Sequence, residues 1–354
     1  MPEPTSNDIL SSLNAIKNPV TGEGIVAAGH VEGVVVKQGN IGFSVRIDPQ
    51  HADACEAMRL ECEKVVAALP GVLSVTAVLT AHETAPSMEK AKKAPEKKTP
   101  EVFDRIKTVI AVVSGKGGVG KSTVALNLAA ALAAKGQTVG FLDADIFGPS
   151  APQMLGIAGN PEVNEDKKLI PVHKHGVLAM SIGFLVPADQ PLAWRGPMVQ
   201  GALLQMLNDV AWPDLDCLVI DLPPGTGDIQ LTLAQQIPVT GAVVVTTPQA
   251  LAVADVRRSI AMLQKTSTPV IGVVENMAWM FAPDGETRLH PFGEGGGELI
   301  SGEMSVPYLG QLPLDSTLQE ATNAGQPVNV FAPDSPATEA FGTLADLVSS
   351  GSEN

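Results

Sequence analysis

The stretch GKGGVGKST, running from Gly115 to Thr123, concentrates the residue types best suited to chemistry in this chain. Gly115, Gly120, Lys121 and Ser122 satisfy the spacing G-x-x-x-x-G-K-[ST]. Glycines at this density let backbone N–H groups close around phosphate oxygens, and a helix beginning at Lys121 adds the positive end of its dipole. The whole loop, Gly115, Lys116, Gly117, Gly118, Val119, Gly120, Lys121, Ser122 and Thr123, is therefore a candidate nucleotide cradle. Within it Lys121 is expected to reach the β- and γ-phosphates of ATP, and Ser122 to ligate magnesium. Lys116 adds a second lysine one residue into the loop, where an ordinary loop of this kind tolerates nearly any residue; a plain surface lysine is the alternative.

Three carboxylates fall at the ends of apolar runs. Asp143 and Asp145 close the first run of FLDADIFGPS, and Asp221 closes CLVID ahead of PPGTGD. Asp221 sits where a carboxylate would hold the magnesium shell. Asp is also favoured wherever a strand hands over to a helix, so capping competes as a role for Asp143 and Asp145. The three cysteines follow apolar patterns: Cys55 and Cys62 share one helical stripe with Met58, Val65, Val66 and Leu69, and Cys217 begins the run ahead of Asp221. His173 and His175 read as exposed positions on a strand, and His290 as a loop residue.

These residues need a scaffold, and the pattern after Lys107 supplies one. TVIAVVSG, TVGFLDAD, DCLVIDLPPG, GAVVVTTP and VIGVVEN are apolar strands alternating with helical stretches, as in a mostly parallel sheet covered by helices on both faces. Ligands of such sheets bind at the strands' carboxyl ends, where the loop and the carboxylates fall. The expected fold class is thus α/β, a P-loop NTPase domain over 108–354 with a small α/β domain over 1–84. The small domain shows a helical start, the strand pair VEGVVVKQGNIGFSVRID turning at Gln38 to Asn40, a helix and the strand VLSVTAVLT. Between the two, 85–107 contains MEKAKKAPEKKTP, a Lys, Ala and Pro composition with little to bury, and is expected to be a mobile linker.

Composition narrows the function classes. At 354 residues, 45% hydrophobic and 17% charged, the chain has material for a large core. A formal net charge of -15 opposes wholesale nucleic-acid binding. No apolar run reaches membrane-spanning length, and Glu3 and Asp8 stand where a signal peptide would be basic, so a cytoplasmic protein is expected. An odd cysteine count fits a reducing compartment.

The extra Lys116 resembles the deviant Walker A class of ATPases, in which that lysine crosses a dimer interface to the partner's nucleotide. The resemblance implies an ATP-linked homodimer with Lys116 and Asp145 as catalytic residues, Asp145 orienting the attacking water. It also implies adenine contacts at Asn276 and Pro313, and a γ-phosphate-sensing switch in PPGTGD. The segments VVSGKGGVGKST, LDADIFGPS, WRGPMV, VIDLPPGTGD, VVVTTPQ, VVENM, FGEGGG and LPLD, in this order, resemble the Mrp/ApbC family of iron-sulfur cluster carriers. That family implies weak ATP hydrolysis and a bridging iron-sulfur cluster passed to apoproteins. One departure stands out: the family's C-x-x-C ligand pair lies between ENM and FGEGGG, and here that segment, AWMFAPDGETRLHP, contains no cysteine. Three readings stay open: another site holds the cluster, non-cysteine groups such as His290 hold it, or the protein aids assembly without carrying one. The N-terminal unit resembles a small domain of cluster-assembly factors. A rival of another class, a positioning ATPase acting on DNA or membrane, would need a basic surface; the chain's only adjacent arginines, Arg257 and Arg258, also fit a solvated helix face, and its end, SPATEAFGTLADLVSSGSEN, carries no Lys or Arg. No nucleic acid and no membrane are expected as partners.

Overall fold

A computed structural model describes residues 4–37, 40–47, 52–72, 74–80, 101–185, 206–225 and 237–352, with Leu203 and Gly227 between them. The chain divides into two compact units, Met1–Pro95 and Glu96–Asn354.

In the first unit, Thr5 and Asp8 form a reciprocal capping box that starts α1 (Ser6–Leu13). β1 (Val31–Lys37) and β2 (Asn40–Arg46) are antiparallel, α2 (Ala52–Ala67) crosses over, and β3 (Ser74–Thr80) returns parallel to β2. The helical stripe packs as its spacing requires, with Cys55, Met58, Cys62 and Val66 buried beside Ile9, Leu13, Ile41, Phe43 and Val45.

The second unit begins with a short 3-10 turn, Glu101–Arg105, and β4 (Ile106–Ser114). Regular structure therefore starts ahead of the 108 boundary expected from sequence, because Phe103 and Ile106 already pack into the core. The residues of the expected linker before Glu101 lie outside the described ones. After α3 (Lys121–Ala134) come β5 (Val139–Asp143), the single-turn α4 (Ala151–Leu155), β6 (Val172–Lys174), β7 (Val177–Ser181), β8 (Leu215–Asp221) and β9 (Gly241–Thr246). They are followed by α5 (Ala250–Lys265), β10 (Val270–Glu275), the hairpin β11 (Met280–Phe281) and β12 (Arg288–Leu289), and α6 (Gly296–Met304). β13 (Tyr308–Gln311), α7 (Ser316–Asn323), α8 (Val328–Phe331) and α9 (Pro336–Gly351) come last.

The main sheet has the order β13-β10-β9-β4-β8-β5-β7-β6, and every pairing in it is parallel except β6 with β7. Helices flank it. β8 and β9 are buried along almost their whole length, as strands covered on both faces must be. β4 sits centrally, with β8 on one side and β9 on the other, so the loop after it opens at the carboxyl edge where the chain reverses its direction of strand addition. His173 is exposed on β6, whereas His175 leaves the strand. His175 and Gly176 have φ of 50° and 81° and make the two-residue turn to β7. The His175 ring lies 3.0 Å from the Gly325 carbonyl.

Candidate functional site

The loop after β4 is shaped by what touches it. A Cβ at Gly115 would stand 2.6 Å from the Val256 nitrogen, so only glycine admits the close approach of α5. Gly120 has φ 81°, a left-handed conformation that favours glycine, and the Asn276 amide fills the space a side chain would need. Around the loop, the Ser114 hydroxyl donates to the Lys116 carbonyl (3.0 Å), and Gly225 N–H donates to the Ser114 carbonyl (2.9 Å). The Asn276 side chain donates to the Val119 carbonyl (2.8 Å). No side chain caps the N-terminus of α3, which leaves its first amides facing the loop as an anion-binding helix end.

Lys121 is nearly buried, and its ammonium pairs with Asp221 Oδ1 at the end of β8. The Ser122 hydroxyl lies 3.4 Å from the same ammonium and Asp145 Oδ2 lies 3.9 Å from it. Asp221 is fully buried, and burial pushes its carboxyl up while Lys121 and the Ser122 hydroxyl oppose the shift. Its second oxygen, Oδ2, is buried without a hydrogen-bond partner among the described residues. An orphaned carboxylate oxygen beside a serine hydroxyl is a hard oxygen donor pair, which suits magnesium. Burial likewise raises the Asp145 carboxyl, with Lys121 pulling the other way.

Asp143, in register with Asp221 on the neighbouring strand, does something else. Its carboxylate accepts from the backbone of Asp145 (3.2 Å), Ser150 (2.9 Å) and Ala151 (3.0 Å) and from the Ser181 hydroxyl (3.0 Å). Burial, then the nearby Asp221 charge, pushes it up to about 6. Asp143 thus has the capping role, and it holds the loop that presents Asp145.

Lys116 is half-buried and has no ion-pair partner among the described residues. Asn276 is buried on the loop carbonyl, and buried Pro313 lies on the neighbouring segment, where Ala278 N–H donates to the Leu312 carbonyl (3.0 Å) and Leu314 N–H to the Trp279 carbonyl (2.7 Å). Of PPGTGD, Thr226 and Asp228 lie outside the described residues, as does WRGPMV. Arg257 pairs with Glu303 and Arg258 with Asp255, so neither is an uncompensated cation.

The segment that resemblance pairs with cluster ligands is a small hairpin. Trp279 and Phe281 meet edge to face at 5.1 Å, and the Arg288 guanidinium sits 4.1 Å over the Trp279 ring. Asp284 closes the turn by accepting from Glu286 N–H, Thr287 N–H and the Thr287 hydroxyl. His290 Nδ1 lies 3.0 Å from the Ala278 carbonyl, and Nε2 lies 2.8 Å from the exposed Glu294 carboxylate. All three cysteines are buried. Burial pushes the Cys217 thiol up to about 12 and Cys62 to about 11, and raises Cys55. Among the described residues no group of three or more His, Cys, Asp or Glu could hold a metal ion. Sequence reasoning passed over Glu275, which is fully buried at the end of β10. A carboxylate closing an apolar strand was its only visible signal.

A parallel sheet with a glycine-rich loop and lysine after its central strand, and a buried carboxylate on the next strand, defines a P-loop NTPase. A family profile described as NUBPL iron-transfer P-loop NTPase matches residues 105–349, and one described as iron-sulfur cluster assembly protein matches residues 6–78. The chain belongs to this family of iron-transfer P-loop NTPases. An iron-sulfur cluster carrier protein of Synechocystis sp. is 41% identical over 349 residues, covering 97% of each chain. One of Pseudomonas fragi is 51% identical over 242 residues, 68% of this chain and 84% of that one. Among solved structures, a nucleotide-binding protein in complex with ADP from Archaeoglobus fulgidus is 40% identical, with a TM-score of 0.59, over 68% of this chain and 94% of that one. The Pyrococcus furiosus cell division ATPase MinD, 24% identical with a TM-score of 0.52 over 69% of this chain and 99% of its own, shares the fold.

Proposed function

We propose that this chain is an ATP-binding and slowly ATP-hydrolysing iron-sulfur cluster carrier that works as a cytoplasmic homodimer and delivers clusters to apoproteins. The observation that carries the reading is the buried constellation at the strand ends, Lys121 on Asp221 with Ser122 and Asp145 beside it, in a chain of this family. Lys121 and the N-terminus of α3 bind the phosphates, and Asn276 and Pro313 flank the adenine. Ser122 and Asp221 would hold magnesium, which neutralises charge on the phosphate oxygens when bound. Asp145, on the loop that Asp143 fixes, orients the attacking water and accepts its proton. Lys116, with no ion-pair partner among the described residues, reaches the partner's nucleotide across the dimer. The test is ATP turnover on the full chain, with Asp145→Ala expected to keep binding and lose turnover; normal turnover in that variant would contradict the assignment.

One observation favours a second reading, an assembly ATPase that holds no cluster itself. Every cysteine is buried, and the hairpin replaces ligands with an aromatic and cationic stack. Anaerobic reconstitution separates the two readings: a carrier acquires a cluster, and an assembly ATPase does not.

A further inference from the structure

Two consecutive residues at the end of β10 hold two different parts of the molecule. Asn276 is bonded to the Val119 carbonyl of the phosphate loop (2.8 Å). Glu275, with no exposed surface, accepts from Gly297 N–H in the first turn of α6 through Oε2 and from the Gln311 side chain through Oε1 (3.1 Å). The segment between Asn276 and Gly297 therefore starts and finishes on one dipeptide. It leaves through Met277, whose φ is 56°, runs out through the hairpin, and returns through His290 and Glu294.

We propose that Glu275 is a positioning residue that couples the phosphate loop to the hairpin segment 278–294, so that ATP in the loop changes the hairpin. This rests on the reading of the loop as an ATP site. The return end has no slack. A Cβ at Gly297 would stand 2.8 Å from Glu275 Cβ and 3.1 Å from the Tyr308 ring, and one at Gly296 would stand 2.6 Å from the Pro248 carbonyl oxygen. A displacement of Val119 by bound phosphates moves Asn276, and Glu275 carries it to the N-terminus of α6 as a packed, hydrogen-bonded unit rather than through a flexible tether. The hairpin residues from Asp284 to Leu289 are exposed, so little opposes their response.

The experiment is hydrogen exchange by mass spectrometry on the full chain with and without ATP and magnesium, alongside calorimetry, for the wild type, Glu275→Gln and Gln311→Leu. In the wild type, ATP is expected to change exchange across 280–290 by about fivefold or more, the lower end of ordinary site-to-site coupling. Glu275→Gln, which replaces the carboxylate's two charged acceptor oxygens by one neutral one, is expected to bind ATP within about threefold of wild type while the hairpin response falls below about twofold. Gln311→Leu removes one donor but keeps the carboxylate; it decides the matter if Glu275→Gln does not fold, by showing a reduced response at unchanged affinity. ATP binding with a silent wild-type hairpin, or an equal response in wild type and variants, overturns the coupling. Absence of ATP binding in the wild type overturns the ATP reading itself.

Discussion

Lys121 is an ammonium buried against Asp221, and truncating it both empties the phosphate cradle of its cation and strands a buried carboxylate. Removing one partner of such a pair costs about 3–5 kcal/mol in stability. Lys121→Ala should lose ATP affinity by about a hundredfold or more, a loss of about 2.7 kcal/mol in binding. Calorimetry checks this, with circular dichroism to establish that the variant folds, and equal affinity would remove the loop assignment. The cysteines give a second test at this scale. Thiols raised to about 11 and about 12 by burial are almost wholly protonated near pH 8, and alkylation needs the thiolate. The native protein should resist iodoacetamide at all three positions and react only after denaturation, as read by mass spectrometry. Much of the residue chemistry was legible in the sequence because loop spacing and strand-end placement are local patterns. Capping by Asp143 was legible only as one of two alternatives, and the bond from Asn276 to the phosphate loop was not legible, because their partners Ser181 and Val119 are brought from elsewhere in the fold.

Between elements, the loop is held by its neighbours as much as by its own glycines. Gly115 lies against the backbone of α5, so Gly115→Ala must push that helix away from β4. We expect a loss of about 1–3 kcal/mol from such overpacking, with ATP affinity falling in parallel as the loop deforms; thermal unfolding and calorimetry on one preparation measure both. A stable variant with wild-type affinity would mean that the loop's shape is its own. The five apolar strands of the large unit were legible because strands buried on both faces have an unmistakable composition. β11 and β12 were harder to see, being two residues long and fixed by a turn and a cation stacked on an indole rather than by periodicity. The first described turn of the large unit, Glu101–Arg105, was hidden for a related reason: one apolar residue, Phe103, recruits a polar turn into the core.

At the scale of the whole molecule, the half-buried Lys116 has no ion-pair partner among the described residues, and its cross-interface role is open to direct test. Lys116→Ala should leave the nucleotide-free state unchanged and specifically weaken the ATP-bound dimer, which light scattering with and without ATP would register. An undiminished ATP dimer would remove the cross-interface role. No described helix is long and apolar enough to cross a membrane, and Arg257 and Arg258 pair with Glu303 and Asp255. The cargo question belongs to this scale too. With the three thiols buried, a cluster held by these cysteines would need a rearranged state that exposes them.

The most direct test is anaerobic cluster reconstitution on the purified full chain, with absorption and Mössbauer spectra, followed by transfer to an apo iron-sulfur enzyme with and without ATP. The account predicts a bound cluster and activation of the apo-enzyme that depends on ATP; a chain that hydrolyses ATP yet neither acquires a cluster nor activates the apo-enzyme would contradict it.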